Sequence, residues 1–180
     1  MSMNIIAFAG SSSKESINKK LVTWASSQFE ATVEILDLND FEVPIYSIDK
    51  ENEFGVPDKI NIFSEKLASC DLILLSLAEH NGAYSSAFKN IFDWASRIKD
   101  KSVFHEKPIF LMSTSPGERG ATTVLGIAKN RFEFNGGKII ETFSLPEFYD
   151  NFDAKKGITS KEYQTVFAQK LVAVKRILSN

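Results

Sequence analysis

The sequence contains one cysteine, Cys70, among 180 residues, and this scarcity excludes an intramolecular disulfide. A chain of this size without disulfides depends on a buried apolar core, and it fits best in a reducing compartment such as the cytoplasm. No apolar run approaches the ~20 residues that span a bilayer. The segment from Met1 to Gly10 lacks the basic start and long apolar stretch of a signal peptide. We therefore expect a cytoplasmic protein with no membrane partner.

A large excess of one charge is absent as well, because the formal net charge is -2 and the isoelectric point is about 5.8. This balance does not favour nucleic acid as a partner. The sequence has only two histidines, His80 and His105, and with one cysteine they do not suit a zinc site. No GxSxG segment of a hydrolase is present. We predict no metal site and no nucleic-acid partner.

Short apolar runs alternate with amphipathic stretches along the chain, which predicts strands and helices in turn. The apolar runs predict five strands, at 4–9, 33–38, 71–77, 107–113 and 138–143. The amphipathic stretches predict helices over 16–29, 58–69, 85–98, 119–134 and 160–178. For the second helix, the expected apolar face is Ile60, Ile62, Phe63 and Leu67. The stretch 41–57 is expected to be irregular, because Pro44, Gly55 and Pro57 interrupt it.

This order of elements predicts a single α/β domain over residues 1–180, with a parallel sheet and helices on both of its faces. Right-handed crossovers limit the topology to a few doubly wound forms. In such sheets a ligand binds outside the carboxyl ends of the strands, where the strand order reverses. The segments that follow the first, third and fourth strands are therefore the places to search for function.

The first of these loops, GSSSKESIN at residues 10–18, gathers four serine hydroxyls beside the start of a helix. The free amides and the dipole of a helix N-terminus attract phosphate. The spacing matches neither a Walker motif nor a glycine-rich dinucleotide fingerprint, so a monophosphate fits better than a pyrophosphate. A polar loop with serine caps and no ligand is the alternative interpretation.

The second loop begins with Glu79, His80 and Asn81, at the end of a central strand where a ligand would face it. Asn81-Gly82 predicts a tight turn. Backbone amides near Asn81 are candidates to contact a flat heterocycle, and His80 is a candidate to stack on it. A surface histidine in an ordinary loop is the alternative.

The third loop, STSPGERGATT at residues 113–123, offers the hydroxyls of Ser113, Thr114 and Ser115. Pro116-Gly117 and Gly120 mark a turn with a close backbone approach. A Pro-Gly turn before a helix is the alternative interpretation. The three loops are expected to meet at one edge of the sheet. A flat heterocycle with a phosphate tail would fit the crevice between them.

The sequence resembles the NADPH-dependent FMN reductase family of flavodoxin-like proteins from about Asn4 to Ile140. The resemblance rests on GSSSKESINKKL, on PDKINIFSEKLASCDLILLSLAEHNGAYSSAFKNIFDWASR, and on KPIFLMSTSPGERGATT. It implies a flavodoxin-like three-layer sandwich with sheet order 2-1-3-4-5. It also implies an NAD(P)H-dependent oxidoreductase that passes electrons through FMN to a flavin, a quinone or a similar small-molecule acceptor. The reductant is NADPH or NADH, and a homodimer or homotetramer is implied as well.

The resemblance assigns the FMN phosphate to the first loop and the isoalloxazine ring to the other two. The implied cofactor-binding residues are Ser11, Ser13, Ser16, Ile17, Asn18, Glu79, His80, Asn81, Gly82, Ser115, Pro116, Gly117 and Gly120. We assign no residue a catalytic acid–base role, because the redox chemistry belongs to the cofactor.

This sequence departs from the family pattern at several of these loops. Ser13 stands where an arginine is usual, with Lys14 next to it as a substitute, Ala78 replaces a proline, and His80 replaces a tyrosine. Two alternatives therefore stay open: a flavin-binding module without enzymatic activity, and a flavin-free interaction protein of the same fold. The aromatic-rich segment 145–156 is expected to cover a pocket, to build an interface, or to close the core.

Overall fold

The centre of the fold is a parallel sheet of five strands, which a computed structural model describes together with the rest of residues 3–179. The sheet strands are β1 (Asn4–Gly10), β2 (Thr32–Leu36), β3 (Leu72–Leu77), β6 (Lys107–Thr114) and β7 (Gly137–Leu145). Two short hairpins supply β4 (Glu79–His80) with β5 (Ala83–Tyr84), and β8 (Phe152–Asp153) with β9 (Gly157–Ile158). The order in the sheet is β2-β1-β3-β6-β7. Counted by sheet strands alone, this confirms the predicted order 2-1-3-4-5.

The central strand β3 is buried along its whole length, as its continuous apolar sequence predicts. Its side chains alternate between two separate apolar clusters. Ile73, Leu75 and Leu77 join one cluster, whereas Leu72 and Leu74 join the other. Because successive strand residues point to opposite faces, the sheet needs a cover on each side.

Seven α-helices, within residues 3–179, connect the strands and cover the sheet. They are α1 (Ile17–Ser26), α2 (Ile48–Phe54), α3 (Asp58–Ser69), α4 (Ser86–Ala95), α5 (Thr122–Arg131), α6 (Phe148–Asn151) and α7 (Lys161–Leu178). Helices α3, α4 and α5 pack on one face, and α1 and α7 pack on the other. Each cluster contains one tryptophan, Trp94 in the first and Trp24 at the margin of the second. Within the same residues, no helix is long and apolar enough to cross a membrane.

The structure differs from the sequence prediction between β2 and β3. The stretch that was expected to be irregular contains helix α2, which the Ser47 side chain caps at its start and which ends at Gly55. None of its residues is buried, so it carries no apolar periodicity. In α3, the predicted core residue Ile62 is instead 48% exposed. The buried face of α3 follows the i, i+3, i+4, i+7 spacing that starts at Ile60.

Candidate functional site

A cleft of about 250 Å³ opens at the carboxyl ends of β1, β3 and β6, where the strand order reverses. All three loops singled out from the sequence contribute to its wall. The lining residues are Ser11, Ser13, Glu15, Ser16, Ile17, Asn18, Ala78, Glu79, His80, Thr114, Ser115, Pro116 and Tyr149.

The first wall of the cleft is the N-terminus of helix α1. Ser16 is its N-cap, and the hydroxyl oxygen of Ser16 accepts a hydrogen bond from the Lys19 amide at 3.2 Å. The amides of Ile17 and Asn18 have no acceptor within residues 3–179. Free amides at a helix N-terminus point outward and favour an anion. This wall therefore has the donors that a phosphate group needs.

The Asn18 side chain is buried and ties helix α1 to two strands of the sheet. Its Oδ1 accepts hydrogen bonds from the Ser76 hydroxyl at 2.7 Å and from the Thr114 amide at 3.1 Å. Its Nδ2 donates to the Thr114 carbonyl at 3.2 Å. Because both acceptor positions and one donor are used inside the protein, little of this side chain is left for a ligand.

The second wall is the hairpin formed by β4 and β5. Asn81 and Gly82 both have positive φ, at 53° and 76°, which is the backbone of a type I′ turn and confirms the predicted tight turn. Glu79 faces the cleft, but its Oε2 accepts a hydrogen bond from the Val124 amide at 2.9 Å. The N-cap residue of helix α5 is Ala121, in a left-handed conformation, and within residues 3–179 no other side chain caps this helix. Glu79 thus fixes the hairpin to α5.

The third wall is the turn from Ser115 to Gly120. The close approach predicted at Gly120 is to the protein's own chain: a Cβ there would lie 2.2 Å from Ser144 Oγ and 3.0 Å from the Pro146 nitrogen. The carbonyls of Ser115 and Gly117 accept hydrogen bonds from the amides of Phe148 and Glu147. The segment after β7 is therefore bonded to this turn.

That bonding places the aromatic-rich segment beside the cleft and settles how its rings divide. Tyr149 is 71% exposed and stands at the margin of the cleft. Phe148 is buried, and its ring stacks on that of Phe152 with centroids 4.7 Å apart. One ring thus flanks the pocket while its neighbours close the core. The sequence signal for Tyr149 was its position in an acidic, aromatic segment outside regular structure.

Ser85 also has a defined structural role, at the start of α4. Its hydroxyl donates to the Gly10 carbonyl at 2.7 Å and accepts from the Phe88 amide at 3.2 Å. A serine at this position joins the end of β1 to the N-terminus of α4 and caps the helix.

The structure brings most of the predicted cofactor-binding residues to the cleft wall. Those at the wall are Ser11, Ser13, Ser16, Ile17, Asn18, Glu79, His80, Ser115 and Pro116. Those that lie in the adjoining turns, outside the wall, are Asn81, Gly82, Gly117 and Gly120. The cleft wall also contains four residues that the family resemblance did not assign to the cofactor: Glu15, Ala78, Thr114 and Tyr149. Cofactor contact by these residues remains a prediction.

Other candidate features of the described chain are less suited to chemistry. A second depression, of about 310 Å³, lies near Ser12 and is lined mainly by the segment 38–45 and by α4. Its wall includes Ser86 and Ala87 at the N-terminus of α4, but no residue of the β4–β5 hairpin or of the turn from Ser115 to Gly120. Cys70 is 1% exposed, and burial raises the pKa of its thiol, so the reactive thiolate is disfavoured. Among residues 3–179, no cluster of histidine, cysteine and acidic side chains could hold a metal ion.

The comparison with known structures supports the fold. The flavoenzyme NAD(P)H:(acceptor) oxidoreductase FerB from Paracoccus denitrificans superposes with a TM-score of 0.73 at 23% identity, and the match covers 97% of this chain and 98% of that one. At this identity the likeness concerns the fold alone.

Sequence comparison identifies relatives among characterised proteins. A 2-hydroxy-1,4-benzoquinone reductase from Burkholderia is 32% identical over 124 residues, which are 67% of this chain and 64% of that protein. A quinone reductase from Pseudomonas putida is 29% identical over 117 residues, 65% of this chain and 62% of that one. The match thus spans less than two thirds of these relatives' own length. The family model of NADPH-dependent FMN reductases matches residues 3–150, and the chain belongs to that family.

Proposed function

We propose that this protein is an FMN-containing, NAD(P)H-dependent oxidoreductase that reduces a small acceptor of the quinone class in the cytoplasm. The observation that carries the proposal is the cleft at the strand-order reversal, where free helix amides face a hairpin and a Pro-Gly turn. Membership of the FMN reductase family supports it, and so do relatives named quinone reductases. The single buried cysteine is consistent with a reducing compartment.

The phosphate end of FMN fits the first wall of the cleft. The amides of Ile17 and Asn18 would donate to phosphate oxygens, with the Ser16 hydroxyl beside them. Glu15 is the unfavourable charge at this wall. Lys20 donates a hydrogen bond to its carboxylate at 2.9 Å, which lowers the pKa of Glu15 and keeps it ionised, but the positive charge of Lys20 partly offsets the negative one. Lys14 is exposed and outside the wall, so the binding depends on neutral donors and the helix dipole.

The ring end of FMN fits between the hairpin and the Pro-Gly turn. When bound, the flavin would supply the redox chemistry, accepting a hydride from the nicotinamide and passing electrons to the acceptor. The protein's own part is to hold the ring. The exposed His80 imidazole offers a flat surface on one side, and Tyr149 stands at the margin of the same cleft. Glu79 is committed to the Val124 amide and keeps the hairpin in place.

We also propose that the chain self-associates into a homodimer or homotetramer. The segment between β2 and β3 exposes Ile45 by 78%, Phe54 by 73% and Ile48 by 52%. Exposed apolar patches are typical of interaction surfaces. We expect Phe54→Asp to lower the molecular mass measured by light scattering. Val172→Asp on α7, which replaces a side chain that is 67% exposed, is the matched control and should leave the mass unchanged.

The decisive experiment is a flavin titration of the purified protein, followed by addition of NADPH or NADH and a benzoquinone. We expect FMN to bind, and its absorbance to bleach with the nicotinamide and return with the quinone. Binding without bleaching would favour a flavin-binding module, and no binding in excess FMN would favour a flavin-free interaction protein. Ser16→Ala and His80→Ala should each weaken FMN binding, and unchanged affinity in both would remove these residues from the site.

A further inference from the structure

The side-chain amide of Asn18 takes the place of a strand at the point where β3 ends. The pairing of β3 with β6 stops at Leu77 and Ser113, one residue before Thr114. The amide and carbonyl of Thr114 are then satisfied by the two ends of one side chain, Asn18 Oδ1 and Nδ2. A side-chain amide has the same donor and acceptor as a peptide group, so it can extend the ladder by one step.

This bond pair joins the two opposite walls of the cleft. Asn18 belongs to the helix N-terminus with the free amides, and Thr114 leads directly into the Ser115-Pro116 turn. The Ser76 hydroxyl, which is fully buried, fixes the orientation of the Asn18 amide from below. Ser76 itself is not part of the cleft wall.

We propose that Asn18 is a positioning residue, which sets the spacing between the phosphate wall and the ring-side turn instead of binding the cofactor with its side chain. The inference rests on the proposed function, because the ligand that requires this spacing is FMN. A hydrogen-bonded network at 0 to 3% exposure has little freedom to change its geometry, so the distance between the walls is defined before the ligand arrives.

The test uses Ser76, whose hydroxyl donates to Asn18 and which lies outside the cleft wall. We expect Ser76→Ala to raise the FMN dissociation constant about tenfold, the effect of disturbing one buried polar contact. Asn18→Ala should raise it at least as much, and the double variant should be no worse than Asn18→Ala alone. Riboflavin lacks the phosphate and therefore does not need the spacing between the two walls, so its dissociation constant should be nearly the same in both variants as in the wild type.

Ser64→Ala is the matched control, because Ser64 is an equally buried serine whose hydroxyl hydrogen-bonds His105 Nε2 away from the cleft. It should lower stability while leaving the FMN dissociation constant unchanged. An unchanged constant in Ser76→Ala, or additive effects in the double variant, would overturn the positioning role. Failure of the wild-type protein to bind FMN would instead overturn the proposed function, and this inference with it, before any variant is compared.

Discussion

The hydrogen bond between Glu79 and Val124 predicts that the hairpin beside the cleft and helix α5 stabilise each other. Val124 is fully buried and is the third residue of α5. Its amide is one of the helix-terminal donors that require a partner outside the helix. The N-cap residue Ala121 has no side-chain acceptor, so the carboxylate of Glu79 performs the capping from 45 residues away.

Replacing Glu79 with alanine should therefore cost as much as losing a cap and leaving a buried amide unpaired. Loss of an N-cap side chain costs about 0.5–2 kcal/mol, and an unsatisfied buried donor costs about 1–3 kcal/mol. Water can reach the partly exposed hairpin and donate or accept some of the lost hydrogen bonding, so we expect the free energy of unfolding to fall by about 1–2 kcal/mol. At roughly 3 °C per kcal/mol for a chain of this length, the melting temperature should fall by about 3–6 °C.

The assay is urea unfolding followed by circular dichroism, with a thermal melt as the second measurement. Glu79→Gln is the matched control, because its amide oxygen still accepts from Val124 and only the attraction of a charge to the helix dipole, about 0.3–1 kcal/mol, is lost. The alanine variant should also exchange the Val124 amide proton faster. If the alanine and glutamine variants have the same unfolding free energy as the wild type, Glu79 does not cap α5.

Three further predictions concern stability. Lys19 hydrogen-bonds Asp37 and lowers the pKa of that carboxyl. The stability that this bond contributes is therefore present at neutral pH and is lost as the pH falls from about 4 through the lowered pKa. In Asp37→Asn, the free energy of unfolding should change less with pH over that acidic range. Burial lowers the pKa of His105, so the His105 imidazole takes up a proton less readily in the folded protein than in the unfolded one. The free energy of unfolding should therefore decline below about pH 6.5, and His105→Gln should remove this decline. Gly120→Ala should lower the free energy of chemical unfolding by about 2–4 kcal/mol, because φ is +56° and the new Cβ would lie 2.2 Å from Ser144 Oγ. The control is Gly126→Ala, which has open space around it and should not destabilise helix α5.

The central strands β1, β3 and β6 could be predicted from the sequence because each is a short apolar run that the sheet buries almost completely, whereas the edge strands β2 and β7 are only partly buried. Helix α3 was predicted with its observed bounds, Asp58–Ser69, since its buried residues recur at helical spacing. The family resemblance and the sheet order are confirmed. These features depend on local patterns and on general rules of chain connection.

Helix α2 and the exact start of helix α5 could not be predicted, because the sequence carries no apolar pattern for them. Helix α2 buries nothing, so only its Ser47 cap and Gly55 end could have revealed it. Helix α5 begins at Thr122, three residues later than predicted, because Gly120 and Ala121 adopt positive φ and form a turn instead.

The site was only partly predictable for a different reason. Loop position pointed to the cleft, but the use of each side chain depends on residues far away in sequence. Asn18 bonds to Thr114 across 96 residues, and Glu79 bonds to Val124 across 45. The family resemblance names both as ligand candidates. Their hydrogen bonds show instead that the Asn18 side chain joins two walls of the cleft and that the Glu79 side chain joins the hairpin to helix α5.

The division of the apolar residues into two clusters provides a built-in optical probe for each layer of the sandwich. Trp94 is 1% exposed beneath the segment 42–47, and its indole donates to the Pro44 carbonyl, so its fluorescence reports on the α3–α4–α5 layer. Trp24 packs against Phe167 of α7, so its fluorescence reports on the other layer. The variants Trp24→Phe and Trp94→Phe each leave one reporter. Comparing their unfolding curves therefore measures whether the two layers separate from the sheet together or in sequence.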